Sequence, residues 1–275
     1  MAHELITSVQ NPLVRRLHHL LDRKGREEQG RFLVEGAHLV EEALKSGAEV
    51  TTILYDNDRD MDPACRRALE NHPLDVHVVA ATAAVLGKLS ETKSPQGIVA
   101  EVKKTAADWD QWLDQKRSSG DDLLVLFLDE IQDPGNLGTI LRTAEAAAID
   151  AVVLGKGSVD VYNGKVVRAT MGALFRLPVF TGSLAETASQ WRADGGRLLV
   201  SSLQKESVSY DEADYSKRTA IVIGNEGRGV SQALMDEADQ FVHIPIYGQA
   251  ESLNAAVAAG IFVFEAQRNR KDRLR

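Results

Sequence analysis

Thr219-Ala220-Ile221-Val222-Ile223, followed at once by Gly224-Asn225-Glu226-Gly227-Arg228-Gly229, is the stretch on which the fold turns. The apolar run reads as a buried strand, and glycines directly after it mark a backbone turning closely around something. Further on, Gln240 to Ile246 reads as a second strand. Ser252-Leu253-Asn254 then opens a helical pattern, with apolar residues recurring through Val257, Ile261 and Phe264. Two strand ends and a helix start therefore meet around a small ligand.

Upstream of this stretch, Leu123–Leu128, Ala151–Leu154 and Arg197–Ser201 join Ala220–Ile223 as expected parallel strands buried on both faces. Helices are expected at Leu137–Ala148, Leu184–Ala193 and Ser252–Arg268. The alternation predicts an α/β fold with a doubly wound parallel sheet and a ligand site at the strand carboxyl ends. The first half alternates differently. It reads as helices at Pro12–Leu21, Ala37–Lys45, Pro63–Glu70 and Ala83–Leu86, with strands at Phe32–Val34, Val50–Tyr55, Val76–Val79 and Gly97–Val102. This is a small α/β sandwich of about 100 residues. A polar stretch from Lys103 to Asp122 parts the halves, giving domains at 1–104 and 123–275 with a linker at 105–122. Trp109 and Trp112 in that linker are spaced to pin a short helix onto one domain.

Composition bounds the function. With 275 residues, 44% hydrophobic and 26% charged, the chain has the make-up of an ordinary globular protein with a substantial core. A formal net charge of -8 argues against nucleic-acid binding by bulk electrostatics. Local excess remains, since six Lys/Arg lie between Arg15 and Arg31 and the tail runs Arg268-Asn-Arg-Lys-Asp-Arg-Leu-Arg275. The plain reading of both is solvated helix surface. Cys65 is the sole cysteine, which excludes an intramolecular disulfide or thiolate metal cluster and fits the cytoplasm. Met1 to Gln10 lacks an apolar signal core, and no run reaches the roughly 18 apolar residues of a membrane span.

Phosphate-loop, dinucleotide G-x-G-x-x-G, H-E-x-x-H and G-x-S-x-G patterns are all missing, and only His243 of the seven histidines follows the linker. Metal-assisted and serine-triad hydrolysis are thereby disfavoured. Asp133-Pro-Gly-Asn136-Leu-Gly-Thr-Ile-Leu-Arg142 follows the Leu123–Leu128 strand. Taken singly, Asn136 reads as a helix cap and Arg142 as a snorkelling surface residue.

Together, three clusters resemble in order and spacing the motifs of the SpoU (TrmH-like) RNA 2′-O-methyltransferases of the SPOUT class. They are Asn136-x-Gly-x-x-x-Arg142, Ile223-Gly-Asn-Glu-Gly-Arg-Gly229 and Ile244-Pro-Ile-x-x-x-x-Glu-Ser-Leu-Asn254, and the resemblance covers Leu123 to Arg270. Ser8-Val-Gln-Asn-Pro12, Gly30-Arg-Phe-Leu-Val-Glu-Gly36 and Ser94-Pro-Gln-Gly97 resemble the L30e-like substrate-binding domain of the ribosomal-RNA members. That domain reads RNA, so Arg15, Arg16 and Arg31 become candidate RNA contacts.

The resemblance implies a deep trefoil knot, a rare exception to unknotted connections. The knot would form a pocket for S-adenosylmethionine, held by backbone at Leu203, Gly224, Ile244 and Leu253, with glycine at 224 because a side chain would obstruct the cofactor. It further implies that Arg142, assisted by Asn136, activates a ribose 2′-hydroxyl. Since arginine as a residue type keeps its proton, a cationic stabiliser of phosphate and alkoxide is favoured over a base, and both remain open. Glu226 would orient Arg142 or Asn254, within or across subunits. Ser252 and Asn254 would contact RNA phosphate or complete the pocket, their alternative being helix capping. Arg228 is an RNA contact or an exposed loop arginine. The implied assembly is a homodimer through the C-terminal domain, with the Ala255–Phe264 face divided between core and dimer interface. No metal or membrane is expected. The expected substrate is 23S ribosomal RNA. The alternatives are transfer RNA, or a noncatalytic RNA-binding protein that keeps the fold.

Overall fold

The structure, a computed structural model, describes residues 4–58, 63–92, 94–119 and 122–273. The end of the basic tail lies outside the described residues. In chain order the first elements are β1 (Leu5–Ile6), α1 (Pro12–His18), α2 (Arg23–Gln29), β2 (Arg31–Glu35), α3 (Ala37–Lys45), β3 (Val50–Asp56), α4 (Pro63–Glu70), β4 (His77–Ala81), α5 (Ala83–Leu89) and β5 (Ile98–Lys103). There follow α6 (Trp109–Ser119), β6 (Leu124–Leu128), α7 (Pro134–Ala146), β7 (Ala151–Gly155), α8 (Gly164–Ala169), β8 (Val179–Gly182) and α9 (Leu184–Ala193). The last are β9 (Arg197–Ser201), β10 (Val208–Ser209), β11 (Thr219–Ile223), α10 (Gln232–Asp236), β12 (Gln240–His243) and α11 (Ala255–Arg273).

Two compact units result. The first comprises Met1–Ala106 with Asp160–Arg176, and the second Ala107–Val159 with Leu177–Arg275. The contiguous division expected from the sequence therefore differs at residues 160–176, which group with the first unit. The cause is side-chain packing: Phe32, at the heart of that unit, lies 4.7 Å from the Tyr162 ring and 6.5 Å from Phe175. Arg26 is buried and donates to Asp160 at 2.8 Å, its other donors meeting the carbonyls of Leu20 and Leu21. A buried guanidinium persists only where charge and donors are both matched.

In the first unit the strands run in the order β1-β4-β3-β5-β2. β1, β4 and β3 pair in parallel, and β5 pairs antiparallel with β3 and β2. Both faces carry apolar clusters, one around Phe32, Ile53 and Ile98 and the other around Leu17, Leu54 and Leu86. One carboxylate is sealed in this sheet. Glu101 on β5 has no solvent exposure and accepts from Arg16, Thr51 and Thr52, with Arg31 at 3.2 Å.

The second unit holds seven parallel strands in the order β10-β12-β9-β11-β6-β7-β8. β6, β7 and β11 are buried along their whole length, which is why their sequences are unbroken apolar runs. α6 belongs to this unit. Trp109 stacks on Trp112 and meets Phe127 and Phe180 edge-on, so the two tryptophans pin the linker helix as their spacing suggested. Because β11 inserts between β9 and β6, the loops after β6, β9, β11 and β12 emerge at the same edge of the sheet. No helix of the described residues is long and apolar enough to cross a membrane.

Candidate active site

The carboxyl ends of β9, β11 and β12 open onto a cavity of about 590 Å3. Its walls include Leu203 after β9, Gly224 after β11, and Ile244 and Leu253 after β12, with Phe262 of α11 among the lining residues. The four positions implied as cofactor contacts thus come together. Parallel strands direct their chains into loops at one end, and the strand order places three such loops side by side.

The turn after β11 is held by its own side chain. Asn225 Oδ1 accepts from the Gly227 and Arg228 amides at 2.8 and 3.2 Å, and Asn225 Nδ2 donates to the Glu130 carbonyl at 3.0 Å. Backbone bonds between Asn225 and Gly229 close the turn. A Cβ on Gly224 would lie 2.3 Å from the Gly229 carbonyl carbon. Glycine at 224 is therefore demanded by the turn itself.

At the rim, three amide and carboxylate side chains form a chain. Asn136 Nδ2 donates to Glu226, and Asn254 Nδ2 donates to Asn136 Oδ1 at 3.0 Å. Asn254 Oδ1 in turn accepts from the amides of Ala256 and Val257. Asn136 is not a cap. Asp133 caps α7 by accepting from the Asn136 amide, which leaves the Asn136 side chain to join Glu226 and Asn254. Asn254, and not Ser252, caps α11. Ser252 lies exposed on the cavity wall.

Arg142 stands apart from this chain. Six residues beyond Asn136 on α7, it is rotated by about 240° around the helix axis and is exposed. Among the described residues it has no hydrogen-bond or ion-pair partner. Glu226 therefore orients Asn136 within one chain, where Arg142 or Asn254 had been expected.

The RNA-contact candidates also separate. Arg15 is exposed on α1 and has no partner among the described residues. Arg16 grips Glu101 with two nitrogens, and Arg31 adds to the same carboxylate and to Thr51. These two hold β5 against its neighbours through Glu101. Burial alone would raise the Glu101 carboxyl, but hydrogen bonds from Arg16, Thr51 and Thr52 outweigh it and hold it at about 2. Arg228 is largely exposed and lies 3.2 Å from Glu130. In the tail, Arg270 is tied to backbone carbonyls of Tyr215, Asp122 and Leu123, so it anchors α11 and is withdrawn from solvent.

Sequence reasoning gave no role to Asn225. The signal was available, since Asn just after a strand, with glycines at 224 and 227, is an Asx-turn pattern. Glu130, with φ +53, is the other missed participant, and nothing local marks its contact 95 residues away in the chain with Asn225. Among the described residues no group of three or more His, Cys, Asp or Glu side chains is placed to hold a metal ion.

Known proteins resemble this chain over nearly its whole length. The SpoU rRNA Methylase family profile matches residues 123–264, and the MRM3-like substrate binding domain profile matches residues 11–100. The chain is 38% identical to the 23S rRNA (guanosine(2553)-2′-O)-methyltransferase RlmP of Bacillus subtilis, over 94% of this chain and 97% of that protein. The structure superposes on the AdoMet-bound rRNA methyltransferase from Sinorhizobium meliloti with a TM-score of 0.84 and 32% identity, over 96% of this chain and 97% of the other. On the SpoU methyltransferase AviRb from Streptomyces viridochromogenes, in complex with AdoMet, the TM-score is 0.83 with 30% identity, over 95% and 99% of the two chains. A profile spanning more than half of the chain, and relatives aligned over nearly all of it, show that this protein belongs to the SpoU rRNA methylase family.

Proposed function

We propose that this protein transfers a methyl group from S-adenosylmethionine to a ribose 2′-hydroxyl of ribosomal RNA, in the 23S molecule. The observation that carries the reading is one cavity at the strand ends with the Glu226–Asn136–Asn254 chain at its rim. The cavity's size suits a small-molecule site, and its apolar walls beside exposed loop backbone suit an adenosyl group. Leu203, Gly224, Ile244 and Leu253 would hold that group. When bound, it supplies a methyl on a sulfonium, an electrophile that needs no metal.

The remaining work falls to side chains. Transfer to a hydroxyl is an in-line displacement, so much of the rate comes from orientation. Glu226 fixes the Asn136 amide, and Asn136 fixes the Asn254 amide, which leaves a rim of oriented polar groups for the ribose and its phosphate. Ser252 extends that rim along the cavity wall. Arg142 is the group that stabilises the developing alkoxide and the adjacent phosphate as a cation. Its exposure, away from Asn136 of its own chain, supports action across a dimer. Val257 and Phe264 are each about half exposed on α11, with Ile261 between them, although the opposite face of the helix is already buried in the core. The N-terminal turns of α11, Ala255 to Phe264, are apolar on both faces and call for cover on the second, and a second copy of this chain would provide it while delivering its Arg142. The segment from Ile244 to Asn254, which lines the cavity together with the loops after β9 and β11, is where the chain would thread to form the trefoil knot. The unit built on 1–104 would dock RNA, with Arg15 as a contact and Arg16 and Arg31 shaping the surface from within, and Arg228 would contact RNA from the second unit.

The test is transfer of labelled methyl from S-adenosylmethionine to 23S RNA lacking the modification, with the site mapped by resistance to alkaline cleavage. A resistant ribose appearing only with protein and cofactor is expected. Label confined to transfer RNA would overturn the substrate. No cofactor binding at millimolar concentration would favour the noncatalytic RNA-binding reading.

A further inference from the structure

We propose that the first unit carries a second RNA subsite, a cavity that takes one unstacked nucleotide of single-stranded RNA, with the base against Phe175 and Tyr162 and the phosphate at Lys103 and Lys104. This rests on the reading of the chain as an RNA-modifying enzyme, and it adds a grip on RNA outside the methyl-transfer site.

The cavity measures about 450 Å3 and is bounded wholly by first-unit residues. The C-terminal end of α3, the chain leaving β5 and the aromatic residues of segment 160–176 enclose it. Its back wall is Phe32, which is almost fully buried. Tyr162 and Phe175 lie against Phe32 and remain half-buried, Phe175 at an interplanar angle of only 23°. An aromatic residue recruited only for a core would be closed over by its neighbours. Here two rings border open space instead.

The cations at this cavity are held loosely. Lys104 Nζ sits 5.0 Å above the Tyr162 ring, and Lys103 pairs with Glu49, whose side chain is 62% exposed. A cation over a ring at the surface and an exposed ion pair are both weak in water, so a phosphate can replace either partner. Three other arginines of this unit are spent internally, Arg26 on Asp160 and Arg16 and Arg31 on Glu101. In a chain of net charge -8, a lysine pair beside open aromatic rings is a local exception.

That combination selects the ligand. Single-stranded RNA is read by stacking splayed bases on aromatic rings while cations follow the backbone. A cavity of this volume fits one nucleotide unit, whereas an A-form duplex presents no free base face to stack. The residues that supply the stacking and the charge lie outside the profile match at 11–100 and in a different unit from the cofactor cavity.

The full-length protein is titrated with fluorescein-labelled single-stranded oligoadenylate and followed by anisotropy, and KM for 23S RNA is measured in the methyl-transfer assay. Phe175→Leu keeps an apolar side chain but removes the ring, and is expected to raise the oligoadenylate Kd about tenfold. Lys104→Glu is a surface change that does not threaten folding. It is expected to raise Kd at least as much and to lower the slope of log K against log salt by about one. Both variants should raise KM and keep S-adenosylmethionine affinity within twofold of wild type. Unchanged oligoadenylate Kd and KM in both variants would overturn the subsite and assign the cavity to something other than RNA. If Phe175→Leu loses cofactor affinity as well, Lys104→Glu decides alone, by the same Kd and KM. A wild-type chain that methylates 23S RNA while both variants behave like it sinks this inference only. Failure of the wild type to bind cofactor sinks the enzymatic reading instead.

Discussion

At the scale of single residues, the division of labour around the cavity rests on which side chains already have partners. Glu226, Asn136 and Asn254 are bonded in series, so each fixes the next, whereas Arg142 is exposed and unengaged among the described residues. An Arg142→Ala variant should therefore lose turnover by about a hundredfold or more while its cofactor affinity, measured by calorimetry, stays within a fewfold of wild type. Equal loss of both would show that Arg142 holds cofactor. Glu226→Ala removes the acceptor that fixes the Asn136 amide. It should lower kcat roughly tenfold or more, with smaller effects on KM, because orientation and not binding is lost.

At the scale of elements, each functional loop is held by a device within or beside it. Asp133 caps α7, Asn254 caps α11, and Asn225 closes the turn after β11 and ties it to the loop after β6. Asn254→Ala should cost about 1 kcal/mol from the lost cap, a fall in Tm of a few degrees by calorimetry. The same variant should also impair turnover, because it deprives Asn136 of its donor. A drop in stability with full turnover would separate the cap from the active-site chain.

At the scale of the whole molecule, charge is organised by burial. Glu101 lies at about 2, below an ordinary value of 4.5, because its hydrogen bonds outweigh its burial. A depressed carboxylate stabilises the fold above its unfolded value and loses that contribution as pH falls through the folded value. Unfolding free energy should decline on the order of 2–3 kcal/mol from this group between about pH 5 and pH 2. Denaturant titrations should show that slope in wild type and a shallower one in Glu101→Gln. The second face of α11 predicts assembly in the same physical terms: Phe264→Glu should yield monomers by light scattering. If Arg142 acts across subunits, those monomers should also be inactive. Monomers with full turnover would confine Arg142 to its own chain.

Much of this was already written locally. Near-continuous apolar runs marked β6, β7 and β11 because parallel strands are buried on both faces, and glycine spacing marked the turn that carries Glu226. Three short motifs in order were enough to name a family. Other features had no local trace. Residues 160–176 join the first unit through Phe32 and Arg26, more than a hundred positions away in the chain. Likewise Arg16 and Arg31 look like free surface cations until β5 brings Glu101 between them. The sequence by itself determined the central buried strands, the turn and the order of the motifs, since these depend on neighbours along the chain, but it left the outer strands β1, β8 and β10 unmarked. The tertiary structure alone decided which polar groups are already satisfied, because hydrogen-bond and ion partners are chosen by proximity in space.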